Sequence, residues 1–260
     1  MYSNAIVTFL DVLGFRSLIK NEGADEINSI LEKMSECAAP ENEDDGDSYQ
    51  PIITTFSDCV VRTNFLCSEA NIAYPIGLLF FELLGLVHAQ SELVHNGVII
   101  RGAVAFGDIV HQGQRVFGPA MVEAYELESN QAIYPRILVS SKWMDALRSN
   151  ELIRSRNNTI NEEKNHILKL IRKDKDGEYF IDYIRAIQSE LDDPYRGYVE
   201  FLKEHSLLIK KNLQKHASNP RVLMKYEWLS NYHDECIHEL DEELLRHFGR
   251  SKKSLLTAVI

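Results

Sequence analysis

Residues 72–89 read IAYPIGLLFFELLGLVHA, the most apolar segment of the chain. A segment this apolar leaves water either for a bilayer or for a protein core. Pro75 and Glu82 interrupt it, and it is short for a span, so a bilayer is disfavoured. Over 76–94, Leu79, Leu83, Leu86 and Val87 recur at helical spacing, which predicts a long core helix. Such a helix needs a complementary apolar layer, and the runs around it read as strands.

Residues 5–10 (AIVTFL) form a short apolar run that ends at Asp11 and meets Gly14. Residues 51–56 (PIITTF) and 59–63 (CVVRT) flank Ser57-Asp58 and predict a hairpin with a carboxylate at its tip. Residues 98–106 (VIIRGAVAF) predict a strand that turns at Gly107-Asp108 into 109–110, and 136–140 (RILVS) predict another. Helical patterns cover 15–20, 24–36, 120–128 (opened by Gly118-Pro119) and 141–149. This order is that of an α+β sandwich with a mostly antiparallel sheet, related to the ferredoxin-like βαββαβ unit.

The acidic run 40–50 lacks calcium-loop spacing and reads as a solvated loop. Beyond about residue 150 the character changes. Residues 151–172 are polar and largely helical in pattern, and 178–183 (EYFIDY) read as a strand. Most of the remainder reads as helix, with Phe201, Leu202, Leu208, Ile209 and Leu213 in one stripe. Two parts are therefore expected, a sheet-based domain over 1–150 and a mainly helical extension over 151–260 that packs on it.

Net charge is −11 and no basic stripe is visible, which argues against a nucleic-acid partner. Cys37, Cys59, Cys67 and Cys236 show no CxxC spacing, so no zinc or redox motif is supported. No basic stretch precedes an apolar run at the N-terminus, so no secretory leader is expected. A cytoplasmic protein without direct membrane contact is the expectation.

Two strand-end carboxylates stand out, Asp11 in TFLDVLGFR and Asp58 in TTFSDCVV. In a βαββαβ sheet the first and central strands are neighbours, so the two can lie side by side. Adjacent carboxylates repel unless one is protonated or a divalent cation sits between them. Oxygen-only ligands suit Mg²⁺ or Mn²⁺ completed by substrate phosphates, and two such ions can both activate a hydroxyl and hold a triphosphate. Turn or capping roles are the alternative for either residue alone. After Asp11 the strand enters a helix through Gly14, where exposed N–H groups favour anions and Arg16 can reach a phosphate. Arg101 and Arg115, each near glycine turns, are further candidates for phosphate or base. His88, His95 and His111 form no metal-ligand spacing, and Tyr226 and Trp228 read as packing residues.

Taken together, Phe9-Leu10-Asp11-Val12-Leu13-Gly14-Phe15-Arg16, Thr54-Thr55-Phe56-Ser57-Asp58, Arg101-Gly102-Ala103-Val104-Ala105-Phe106-Gly107 and the segment 118–127 resemble the class III nucleotidyl cyclase catalytic domain. Order and spacing agree across about residues 5–140. The resemblance implies a homodimer with interfacial active sites and a nucleoside triphosphate substrate. It implies that Asp11 and Asp58, with the Val12 carbonyl, hold two divalent ions, Mg²⁺ or Mn²⁺. Amides of Leu13, Gly14, Phe15 and Arg16 would cradle the triphosphate while the ribose 3′-hydroxyl attacks the α-phosphorus and releases pyrophosphate.

The chain departs from the family at several positions. Thr54 stands for the base-reading Lys, Arg115 falls near its partner Asp, and Val122 and Glu126 replace the helix Asn and Arg. Positive charge at the transition state then falls to Arg16, Arg101 or a partner-chain Arg. With RGAVAFGD, GPAMVEAYELES, YPRILVS, DGEYFIDY and KYEWLSNYH, the pattern looks like the cyclases of bacterial Pycsar anti-phage systems, which make cyclic UMP or cyclic CMP. A guanidinium at Arg115 donates to pyrimidine acceptors, and Tyr125 or Phe56 can fill the space of a purine ring. UTP is favoured, with cyclic UMP as a messenger read by a separate effector. The alternatives are a cyclic CMP or purine cyclase, or a non-catalytic nucleotide-binding module.

Overall fold

The computed structural model describes residues 1–39, 51–67 and 75–257. The solvated loop expected over 40–50 lies outside them. Eight strands are present among the described residues: β1 (Ser3–Val12), β2 (Ile52–Phe56), β3 (Cys59–Phe65), β4 (Ile100–Gln112), β5 (Arg115–Phe117), β6 (Ile137–Val139), β7 (Ile171–Lys173) and β8 (Tyr179–Ile181). They form one sheet in the order β2-β3-β1-β4-β6-β8-β7, with β5 added on β4. Neighbours run antiparallel except β4 and β6. The first four strands have the expected βαββαβ order, so the chain is α+β with a mostly antiparallel sheet.

The helices are α1 (Phe15–Asn21), α2 (Ala24–Ala38), α3 (Leu78–His95), α4 (Pro119–Glu126), α5 (Trp143–Ser149), α6 (Ile160–Ile167) and α7 (Tyr183–Ala186). They continue with α8 (Arg196–Lys215), α9 (Pro220–Glu239), α10 (Glu242–His247) and α11 (Lys252–Leu255). No described helix is long and apolar enough to cross a membrane.

β1 is central and covered on both faces, which is why residues 5–10 are apolar on both faces, apart from the buried Thr8, rather than alternating. One face, with Ile6, Leu10, Val60 and Val104, packs on the main core with Leu79, Leu83, Leu86 and Val87 of α3. The other carries Ala5, Val7, Phe9, Val61 and Ala105, beneath Ala120 and Ala124 of α4. The small residues let that short helix lie close to the sheet.

Glu82 interrupts the apolar stripe of α3 and is fully buried. Its carboxylate takes Arg62 Nη2 at 3.0 Å and Asn64 Nδ2 at 2.6 Å, and the Thr8 hydroxyl donates to it. Arg62 also donates to the Ala38 carbonyl, which ties β1, β3, α2 and α3 through one charge cluster. Buried charge survives only when paired and hydrogen-bonded in this way.

Three sequence expectations are corrected. β4 does not turn at Gly107-Asp108; it runs on to Gln112, with Gly107 (φ 142) facing Ala5, and the chain reverses at 113–114. Residues 151–172 are less helical than expected: only α6 lies within them, and β7 begins at Ile171. The strand expected over 178–183 shortens to β8, and Tyr183 opens α7. β7 and β8 extend the sheet past residue 150, and the main core includes Phe201, Ile209, Leu229 and Ile237 from α8 and α9.

Candidate functional site

The register of the sheet builds the site. Asp11 faces Cys59 across β3 and Arg101 across β4, and Cys59 faces Phe56 on β2. Directly opposed residues share a face, so Phe56, Cys59, Asp11 and Arg101 form one row. Ser57-Asp58 makes the two-residue loop between β2 and β3, with Ser57 at φ 55. The Val12 amide donates to the Asp58 carbonyl at 3.2 Å, so β1 extends the ladder onto the loop and brings the carboxylates together. One ligand atom each from Asp11, Asp58 and Cys59 lie within 4.8 Å of one another, and all three residues are half-buried.

Burial pushes the Asp11 carboxyl up to about 6; Arg101 pulls it down, while Glu128 and Asp58 oppose its ionisation. Burial and the neighbouring carboxylates push the Cys59 thiol up to about 12, so it enters this cluster as a neutral thiol. Asp58 forms no ion pair among the described residues. Two carboxylates that resist joint ionisation, with hard oxygen donors open on one side, fit a divalent cation.

Arg101 is held from three sides. Its Nε donates to Asp11 Oδ2 at 3.0 Å and its Nη1 to the Ala132 carbonyl at 3.2 Å. Its Nη2 lies 2.7 Å from Glu128 Oε1, an ion pair too poorly directed to count as a hydrogen bond. Arg101 therefore orients Asp11. Gly102 follows it because a Cβ there would meet the Phe9 carbonyl oxygen at 2.4 Å.

Past Val12, the Leu13 amide donates to the Ile99 carbonyl at 2.9 Å and is engaged within the fold. Gly14 adopts φ 80 and caps α1, a left-handed conformation that favours glycine. The amides of Phe15 and Arg16, first in the helix, fall outside its hydrogen-bond ladder. Arg16 is exposed and forms no ion pair among the described residues.

The residues proposed for the base lie further along β2 and at the β4–β5 hairpin. Phe56 is 81% exposed. Thr54 is buried; its hydroxyl donates to the Gly113 carbonyl at 2.9 Å and accepts from His111 Nε2 at 2.8 Å. His111 Nδ1 in turn accepts from Thr63 at 2.8 Å. This chain pins the hairpin tip onto β2, and exposed Arg115 stands beside that tip, opposite Gln112. Val122 and Tyr125 are exposed on α4, and with Phe117, Tyr2 and Pro119, Val122 lines an open groove of about 600 Å³.

One residue at the site, and one whose charge reaches it, escaped the sequence reading. Glu128 is buried on a π-helical turn, Leu127–Gln131, that follows α4, and Ser129 donates to its Oε2 at 2.9 Å. Lys225, half-buried on α9, senses Arg101, Asp11 and Glu128; burial and Arg101 lower its proton affinity and the two acids raise it. π-Turns often mark functional sites, but a sequence pattern does not reveal one.

No family model matches the chain, and no curated protein matches it. Its shape is similar to solved structures. One is a bacterial light-regulated adenylyl cyclase, 11% identical, with a TM-score of 0.42 over 78% of this chain and 98% of that one. Another is the guanylyl cyclase Cya2, 12% identical, with a TM-score of 0.35 over 70% of this chain and 92% of that one. A third is a class III adenylyl cyclase-like ATP-binding protein from Pseudomonas aeruginosa, 11% identical, with a TM-score of 0.38 over 64% of this chain and 40% of that one.

Proposed function

We propose that the chain is a nucleotide cyclase of the class III type. It converts a pyrimidine nucleoside triphosphate, UTP in preference, into the 3′,5′-cyclic nucleotide and pyrophosphate, as a messenger in bacterial anti-phage defence. The observation that carries this reading is the convergence of Asp11 and Asp58, from different strands of a βαββαβ sheet, to within 4.8 Å. Asp11, Asp58 and the Val12 carbonyl would hold two divalent ions, Mg²⁺ or Mn²⁺, which would supply Lewis-acid activation and charge neutralisation.

The chain's own residues position the reaction. Arg101, braced by Glu128 and the Ala132 carbonyl, fixes the rotamer of Asp11. The amides of Gly14, Phe15 and Arg16 and the Arg16 guanidinium, which forms no ion pair among the described residues, would face the triphosphate. The ribose 3′-oxygen gives its proton to solvent and forms a bond to the α-phosphorus. The bond from that phosphorus to the bridging oxygen breaks, and pyrophosphate leaves with the electron pair. Such a reaction is carried by positioning and electrostatics.

Arg115, which can only donate, matches the acceptor oxygens of uracil better than the amino group of cytosine. Phe56 offers an exposed ring in the row that contains Asp11. A homodimer is supported by the exposed Phe117, Val122 and Tyr125 beside the groove on α4. Purified chain is incubated with each of the four nucleoside triphosphates and Mn²⁺, and products are identified by mass spectrometry. Cyclic UMP should dominate, and Asp58→Ala should lower turnover at least about a hundredfold. No cyclic product from any nucleotide, or an Asp58→Ala variant as active as the parent, refutes the reading.

A further inference from the structure

Cys59 adds a sulfur to the acid pair. It follows Asp58 in the chain and faces Asp11 across the β1–β3 ladder, so its side chain stands in the same row as the Asp11 carboxylate. The thiol donates to Asp11 Oδ1 at 3.7 Å. One oxygen of Asp11, one oxygen of Asp58 and the Cys59 sulfur all lie within 4.8 Å of one another. Ligands of one tetrahedral ion, at about 2.0 Å to oxygen and about 2.3 Å to sulfur, stand about 3.3–3.6 Å apart. The sulfur and Oδ1 are already near that spacing, and a side-chain rotation of about 1 Å would bring in Asp58. Among the described residues, no other cysteine joins a cluster of three such donors.

The three donors differ in kind, and the difference selects between ions. Mg²⁺ takes oxygen ligands in an octahedral shell that keeps several waters, so it leaves a thiol protonated and outside. A thiophilic divalent ion such as Zn²⁺, Cd²⁺ or Co²⁺ accepts four ligands and gains from sulfur. Two carboxylate oxygens and one thiolate give it three protein ligands and leave the fourth place to water. Arg101 holds Asp11 through Oδ2, so an ion on Oδ1 leaves the guanidinium in place to offset the surplus negative charge.

We propose that Asp11, Asp58 and Cys59 form a site for one thiophilic divalent cation, Zn²⁺ foremost, which competes with Mg²⁺ or Mn²⁺ for the acid pair and stops turnover. The competition rests on the cyclase reading; the binding does not. On entry a sulfur–metal bond forms, the S–H bond breaks and its proton goes to solvent, with no electron transferred. The ion is then held in a four-coordinate shell against Cys59, and the open octahedral positions that substrate phosphates would complete are lost. Cys59 thereby sets which metals the site tolerates.

The test is titration of the full chain, kept reduced with a phosphine, with Cd²⁺ followed by ultraviolet absorption and with Zn²⁺ and Mg²⁺ in a calorimeter. The sulfur-to-cadmium charge-transfer band reports the bond directly. The parent should gain the band, and Cys59→Ser should lose it. Cys59→Ser should also weaken Zn²⁺ binding at least about tenfold while Mg²⁺ binding stays within about threefold. Cys59→Ala, which removes the donor without adding a hydroxyl, should behave in the same way. Exposed Cys67 lies outside the cluster, so Cys67→Ser should keep the band. Asp58→Asn should weaken both ions. In turnover with Mn²⁺, the Zn²⁺ concentration that halves the rate should rise in Cys59→Ser by the factor lost in binding. A band that survives in Cys59→Ser, or equal Zn²⁺ affinity in parent and variant, overturns the assignment and leaves the cyclase reading standing. Turnover that persists when the parent is saturated with Zn²⁺ overturns the competition. Cys59-dependent binding in a chain that makes no cyclic product from any nucleotide refutes the cyclase reading and retains the metal site.

Discussion

Two histidines in the C-terminal region should make the fold acid-labile. Tyr183 Oη donates to His205 Nε2 at 2.7 Å, His205 Nδ1 meets His233 Nδ1 at 2.9 Å, and His233 Nε2 meets the Leu255 carbonyl at 3.1 Å. The carbonyl only accepts, so His233 carries its proton on Nε2 and its Nδ1 is bare. His205 must then donate from Nδ1 and accept at Nε2. The chain closes only with both rings neutral, and an added proton sets two N–H donors against each other. Both rings are fully buried; burial pushes His233 down to about 4 and also lowers His205, with the His233 charge opposing its own. The unfolded chain, with histidine near 6.5, binds more protons than the native state, so stability rises with pH in this range. The contribution is complete above pH 6.5, erodes as pH falls from there toward 4, and is constant below. At pH 5, His233 alone accounts for about 2 kcal/mol of lost stability, and the full window for about 3 kcal/mol. Urea unfolding of the parent and of His233→Gln between pH 7.5 and 4.5 reads this directly. Gln can donate to the Leu255 carbonyl and accept from His205 but does not titrate, so its curve should be flatter by about 2 kcal/mol at pH 5. Parallel loss in the two proteins would refute the argument, as would a ring that titrates near 6.5 by NMR in the native state.

Two further predictions concern the core and the loop. Arg62→Leu leaves Glu82 charged and buried and should cost about 3–5 kcal/mol in urea unfolding, with most of it recovered by adding Glu82→Leu; a single variant within about 1 kcal/mol of the parent contradicts the pairing. Ser57 holds a left-handed φ of 55, so Ser57→Val should destabilise by about 1–2 kcal/mol and lower turnover by displacing Asp58, whereas Ser57→Gly should be neutral or stabilising; the reverse order by thermal melting would show that the loop is unstrained.

Much of the sheet was legible because its signals are local. Residues 5–10 of β1 are a continuous apolar run, the β2–β3 hairpin is two runs with a two-residue gap, and α3 repeats its stripe for five turns. Gly107-Asp108 reads as a turn dipeptide, yet ten successive residues of β1 pair with β4 and carry the strand through it. Long-range pairing there overrides local turn propensity. β7 is only three residues long and gains its partner from β8, so nothing periodic marks it. At the site, Asp11 stands near the end of a recognisable strand and Asp58 in the two-residue gap of the hairpin. Glu128 has no such frame, because the π-turn shifts it out of helical phase with α4.

The arrangement of charges explains why the acid pair can be held together before any ion or substrate arrives. Asp11, Asp58 and Glu128 bring three carboxylates to one end of β1. A guanidinium spans two of them, at 3.0 Å to Asp11 and 2.7 Å to Glu128, while Asp58 forms no ion pair among the described residues. Arg101 holds Asp11 through Oδ2, and the Cys59 thiol donates to Oδ1 at 3.7 Å, so Oδ1 carries no charged partner. Asp11 Oδ1 and Asp58 would hold a cation without displacing Arg101, because one carboxylate is already oriented and the other is not yet neutralised. Glu128 thus acts through Arg101: it balances the guanidinium, so Arg101 orients Asp11 without cancelling the negative charge that attracts the ion. In the proposed reaction, positive charge for the departing pyrophosphate would then come from a group outside this cluster, such as Arg16 at the head of α1.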